Sequence, residues 1–133
     1  MRMNDGRVVL NFITQAIKNE SITVYGDGTQ TRSFCYIDDL VEGIFKTALL
    51  DNIDGEVFNL GNPEEYKVKD FAQIIKELTN SKSPIIFKAL PQDDPRQRKP
   101  DITKAKNILK WKPSLGFKES LQNTINWFKD KID

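Results

Sequence analysis

Histidine is absent from this 133-residue chain, and cysteine occurs once, as Cys35. Lack of histidine removes the commonest zinc ligand and the commonest general base. A lone cysteine cannot close an internal disulfide, which points to a reducing compartment and a cytoplasmic location. An excess of either charge is also missing. Twenty Lys and Arg against 19 Asp and Glu leave a net charge of +1, so no large basic field argues for nucleic acid or an acidic membrane surface as partner. No apolar run approaches the roughly 20 residues that span a bilayer. The opening Met1-Arg2-Met3-Asn4-Asp5-Gly6 lacks the apolar core of a secretory signal. There is no glycine-rich dinucleotide fingerprint. Gly26-Asp27-Gly28 does not have the spacing of a phosphate loop and reads as a turn.

What is present is an alternation of amphipathic helices and short strands, in enough chain for one domain with a core. Val8, Val9, Phe12, Ile13, Ala16 and Ile17 recur at helical spacing, with Asn4 or Asp5 as caps. Ile22–Tyr25 reads as a strand and Ser33–Tyr36 as a second extended piece. Leu40, Val41, Ile44, Phe45, Ala48 and Leu49 form a stripe on a helix whose N-terminal end carries Asp38 and Asp39. Val57-Phe58-Asn59-Leu60 reads as a short buried strand. Val68, Phe71, Ala72, Ile75 and Leu78 make another helical face, ended by Asn80-Ser81. Ile85-Ile86-Phe87 is a further strand. Pro91 to Pro100 holds three prolines among mixed charges and predicts an irregular loop. Thr103 can cap a short helix, Pro113 breaks it, and Phe117, Leu121, Ile125 and Phe128 share one face of the last helix.

Four blocks carry chemistry. Tyr25-Gly26-Asp27-Gly28-Thr29-Gln30-Thr31-Arg32-Ser33-Phe34 runs into Tyr36-Ile37-Asp38-Asp39-Leu40. Asn4-Asp5-Gly6-Arg7-Val8-Val9 places an arginine in the first turn of a helix, against the dipole's preference. Val57-Phe58-Asn59-Leu60-Gly61-Asn62-Pro63-Glu64-Glu65 follows the stripe helix. Asp93-Asp94-Pro95-Arg96-Gln97-Arg98-Lys99-Pro100-Asp101 crosses the proline-rich loop. As a metal site, the adjacent Asp93-Asp94 pair is poor, with no further ligand spacing. Read alone, each arginine is a solvated surface charge, Tyr25 is a core aromatic on a strand, and Asn59 is a strand asparagine satisfied by backbone.

Together the four blocks resemble the nucleotide-sugar branch of the extended short-chain dehydrogenases, and among them the UDP-glucuronate decarboxylases. The resemblance covers essentially the whole chain. It implies an α/β fold: the C-terminal, sugar-nucleotide-binding part of such an enzyme, with most of the NAD-binding doubly wound core missing. Residues 1–133 would form that segment, with 57–60 as an edge strand of the missing sheet. The family's Tyr-x-x-x-Lys pair is absent, so the chain is expected to be inactive alone. NAD is expected in the complete enzyme and not on this segment. The expected partners are a UDP-sugar and the NAD-binding half, with self-association where that half is absent.

By the same resemblance, Arg32 reaches the diphosphate, as a guanidinium fork suits. Arg7 contacts the UDP-sugar, and Tyr25 lies against the nucleobase unless it is core. Asn59 hydrogen-bonds the ligand unless backbone satisfies it. Arg98, favoured over Arg96 because Lys-Pro follows it directly, approaches the sugar as proton donor or carboxylate contact. A dTDP-glucose dehydratase or an epimerase is the alternative within the superfamily, against which the Arg-Lys-Pro-Asp element argues. A non-catalytic ligand-binding or interaction module is the alternative of another class. Lys67 departs from the family's threonine, and a lysine cannot accept a capping bond.

Overall fold

A computed structural model of the chain describes residues 7–90 and 95–132, the last by its backbone alone. Asn4, Asp5, Asp93 and Asp94 lie outside the described residues, so the expectations placed on them go no further. The order is α1 (Val8–Ile17), β1 (Ile22–Tyr25), β2 (Thr31–Ser33), α2 (Ile37–Leu49), β3 (Glu65–Lys67), α3 (Val68–Thr79), β4 (Ile85–Lys88), α4 (Thr103–Ile108) and α5 (Phe117–Ile132). β1 and β4 pair in parallel, Ile22 opposite Ile85 through Tyr25 opposite Lys88. β2 and β3 pair antiparallel, with Arg32 opposite Tyr66.

The main core fills the space between α1, α3, α5 and β1. Leu10, Phe12, Ile13, Ile22, Val24, Phe71, Ile75, Leu121, Ile125 and Phe128 are all buried there. β1 shows why its short sequence reads as a strand: Ile22 and Val24 point inward and Tyr25 outward. Aromatic rings tie the core to the second strand pair. Phe34 stacks on Phe71 at 4.3 Å and Tyr66 on Phe117 at 3.7 Å between centroids.

α3 shows how the chain manages without the threonine cap. Lys67 gives no side-chain cap. Instead the amide of Val68 donates to the Gln30 carbonyl and that of Lys69 to the Gly28 carbonyl, each at 3.0 Å. The glycine turn therefore supplies the acceptors that the first helical amides need. Gly28 has φ +71°, and a β-carbon there would sit 2.7 Å from Lys69 Cβ, so only glycine fits this seam. At the other end Asn80 adopts the left-handed conformation, φ 53°.

Three expectations shift. The second extended piece is Thr31–Ser33, starting two residues earlier than read and ending three earlier, because β3 supplies its partner. Thr103 opens α4 as its first residue, and the capping acceptor is Asp101 Oδ1, 2.9 Å from the Thr103 amide. Val57 to Leu60 forms no strand with any described residue, and Val57 is 78% exposed. The segment still alternates: Phe58 and Leu60 pack against a second cluster of Ile102, Ala105, Leu109 and Trp111. A strand also needs partners for its amides and carbonyls, and among the described residues no backbone hydrogen bond reaches 57–60.

Candidate functional site

Two adjoining cavities open where β2, the 95–99 loop and the N-terminal end of α2 meet. The larger, about 1050 Å³, reaches from the start of α1 past β1 and β2 to α5. The smaller, about 480 Å³, lies between Ser33, Cys35, Leu60, Gly61 and the 98–100 stretch. Arg98, Ser33, Cys35 and Asn62 line both, so the two are parts of one cleft. Arg7, Tyr25, Arg32 and Arg98 all line the larger one. Four of the five sequence-flagged residues thus converge, although they come from the start of α1, two strands and a loop 91 positions from Arg7 (98 less 7).

The sequence supplies this convergence locally. Arg7 precedes α1, whose inward face anchors it to the core. Tyr25 ends β1 and is 43% exposed, so it belongs to the cleft wall and not to the core. The turn after it is stiff. Both of its glycines have positive φ, and Asp27 Oδ1 accepts from the Thr29 amide and hydroxyl at 2.9 and 2.6 Å. Those bonds hold the Asp27 carboxyl below the usual carboxylate range. Arg32 follows on β2. Its Nη1 donates to the Thr31 carbonyl at 2.7 Å and to the Pro95 carbonyl at 2.8 Å, which fixes the plane of the guanidinium.

The loop carrying Arg98 is held from both sides. The Thr31 amide donates to the Arg96 carbonyl at 2.9 Å. Glu65 Oε1 accepts from Thr31 Oγ1 at 2.6 Å and from Gln97 Nε2 at 2.7 Å, while Oε2 lies 3.5 Å from Lys99 Nζ. The Thr31 hydroxyl first, and then Gln97, keep the Glu65 carboxyl below its ordinary range. On the far side, a β-carbon at Gly61 would lie 2.9 Å from Pro100 Cγ, so a glycine lets the proline seat.

Asn59 does not join the cleft. It lines neither cavity, and its Nδ2 donates to the Asp101 carbonyl at 3.3 Å. Its side-chain amide is thus met by backbone, although the residue is exposed and lies on no strand. Residues that the sequence reading passed over are Glu65, Thr31, Gln97 and Asn62. A carboxylate on a strand facing a basic loop was the available signal for Glu65.

The cleft is cationic. Its buried carboxylate, Asp39, accepts from the Ser114 amide and hydroxyl at 2.9 and 2.8 Å and from the Leu115 amide at 3.3 Å. Cys35 is half-buried, and burial, then the Asp39 charge, pushes its thiol up, away from nucleophilic character. Three guanidinium groups and a tyrosine edge suit an anionic, ring-bearing ligand. Among the described residues no group of three or more Cys, Asp and Glu is placed to hold a metal, and no helix is long and apolar enough to cross a membrane.

Residues 1–61 match the NAD dependent epimerase/dehydratase family. The whole chain is 50% identical to UDP-glucuronic acid decarboxylase 1 of Danio rerio, covering 31% of that protein. It is 46% identical over 132 residues to UDP-glucuronic acid decarboxylase 1 of Arabidopsis thaliana, covering 30%. The chain therefore spans about a third of the length of these curated relatives. Among solved structures, UDP-glucuronic acid 4-epimerase from Bacillus cereus, in complex with UDP-glucuronic acid and NAD, superposes with a TM-score of 0.89 at 28% identity, over 95% of this chain and 40% of that one. UDP-glucose 4-epimerase from Thermotoga maritima, with UDP-glucose, gives 0.88 at 29%, over 96% and 40%.

Proposed function

We propose that this chain, whose residues 1–61 match the NAD dependent epimerase/dehydratase family and which is similar to UDP-glucuronic acid decarboxylases along its whole length, is the sugar-nucleotide-binding part of an enzyme that converts UDP-glucuronate to UDP-xylose. The observation that carries the proposal is the meeting of Arg7, Tyr25, Arg32 and Arg98 on one cleft. Arg7 and Arg32 bind the diphosphate, Tyr25 lies against the uracil, and Arg98 faces the sugar carboxylate. Asn59 steadies the loop after Arg98 and makes no ligand contact. The decarboxylase is favoured over an epimerase because identity to decarboxylases reaches 50%, against 28–29% for the epimerase structures.

The sequence carries no dinucleotide fingerprint, so NAD is assigned to the remainder of the enzyme. No hydride step is assigned to this chain. Oxidation and reduction of the sugar belong to the length that the relatives have in addition, and Val57 to Leu60 would join its sheet as an edge strand. What this segment contributes is binding energy and orientation: charge-assisted bonds hold the nucleotide end while Arg98 fixes the carboxylate that leaves.

Calorimetric titration of UDP and UDP-glucuronate into the chain tests the assignment. Arg32→Ala removes a charge-assisted contact worth about 1.5–3 kcal/mol, so both ligands should weaken about ten- to a hundredfold. Unchanged UDP affinity would refute the role of Arg32.

A further inference from the structure

Residues 95–99 are bound to the β2–β3 pair at every position but one. The carbonyls of Pro95 and Arg96 accept from Arg32 and from the Thr31 amide. The side chains of Gln97 and Lys99 both converge on Glu65. Arg98, between them, lines both cavities. One carboxylate thus grips the two neighbours of the arginine, while Arg98 itself lines the cleft.

The carboxylate is itself well placed. Glu65 pairs with Ser33 across the strands, and Ser33 lines both cavities. The Thr31 hydroxyl, 2.6 Å away, orients its Oε1. Oε2 faces Lys99, so the group bridges a neutral donor on one side and a cation on the other.

We propose that Glu65 is a positioning residue that sets Arg98 in the cleft and thereby tunes preference for a ligand bearing a sugar carboxylate over the bare nucleotide. This rests on the assignment of Arg98 to the sugar end. Glu65 touches no ligand. It acts by fixing where the guanidinium of Arg98 begins, which spares entropy that the loop would otherwise lose on binding.

Glu65→Gln tests this with little change of shape, since it removes the charge that Lys99 meets and replaces one acceptor oxygen by a donor. Four versions of the 133-residue chain are compared: the parent, Glu65→Gln, Arg98→Ala and the double variant. UDP and UDP-glucuronate are titrated into each. Glu65→Gln should weaken UDP-glucuronate about three- to tenfold and leave UDP within twofold. The double variant should bind UDP-glucuronate no more weakly than Arg98→Ala alone, because residues acting as a unit are not additive. Equal weakening of both ligands, or losses that multiply in the double variant, would overturn the proposal.

A second readout needs no ligand. Trypsin should cut after Arg96 and Arg98 several-fold faster in Glu65→Gln, with the urea midpoint of the chain unchanged. If the parent binds neither ligand, the binding assignment fails, and the proteolysis decides the positioning alone. Unchanged cutting in that case overturns it.

Discussion

α3 and α2 are amphipathic helices of similar length with opposite fates. α3 buries Val68, Phe71, Ala72 and Ile75. α2 buries only Asp39 and Gly43, while Ile37, Val41, Ile44, Phe45 and Leu49 stand 40–77% exposed. Both stripes follow the same helical spacing, so periodicity alone does not say whether a face is covered within this chain. The difference lies in partners. α3 lies against α1, α5 and β1. α2 is clamped at one side through Asp39 and by Gly43, where Leu60 and Trp111 approach too closely for a β-carbon. Among the described residues its broad apolar face is left exposed. Five large apolar side chains on one helix form a contiguous patch of the kind that marks an interaction surface. In the proposed enzyme that cover is the NAD-binding part.

The largest effect should come from the finished region. Phe71→Ala empties a fully buried site and should cost about 3–5 kcal/mol. Phe45→Ala on the bare face should stay within about 0.5 kcal/mol. Urea unfolding followed by circular dichroism compares them directly. Equal losses would mean that the face of α2 is covered after all.

The clamp itself comes next. Asp39→Ala leaves the Ser114 and Leu115 donors without their acceptor and should cost about 1–3 kcal/mol. Loss of the Trp111 environment in fluorescence, read in a Trp127→Phe background, should accompany it. A variant as stable as the parent would place the attachment of α2 elsewhere.

Self-association sharpens the comparison further. The chain alone should associate through α2, and Phe45→Lys with Leu49→Lys should shift it towards monomer in sedimentation, since a charge in an apolar contact is costly. A parent that is monomeric at high concentration contradicts this.

The smallest effect is a titration. Because the folded-state carboxyl of Glu65 is lowered, its grip on Gln97 and Lys99 is fully present above the ordinary carboxylate range. It is lost as pH falls through the depressed value. The Gln97 side-chain amide resonance should therefore move with a midpoint below 4.5. A midpoint at or above that figure would mean that the bonds to Glu65 do not form.

Much of this was legible beforehand. α1, β1, α3, β4 and α5 stand where hydrophobic period and turn residues place them, because each finds its partners within the chain. Three of the four motif blocks hold Arg7, Tyr25, Arg32 and Arg98, which line one cleft. Long-range partnership was not legible. β3 is three residues long and exists through pairing with β2. Val57 to Leu60 looks like a strand and pairs with no described residue. Asn59 carried the right residue type for a ligand contact, yet the Asp101 carbonyl takes its amide. Glu65 escaped notice because its work depends on Thr31, Gln97 and Lys99, which are far from it or each other in sequence.

The central claim is that this chain supplies the sugar-nucleotide cleft and relies on further protein for hydride chemistry. It is tested most directly by following UDP-glucuronate, with NAD present, over two purified proteins. One is the chain alone. The other is the chain fused behind the portion of the Danio rerio decarboxylase that it does not match. The account predicts UDP-xylose and carbon dioxide from the fusion and neither from the chain alone. Turnover by the chain alone, free of host enzyme, would contradict it.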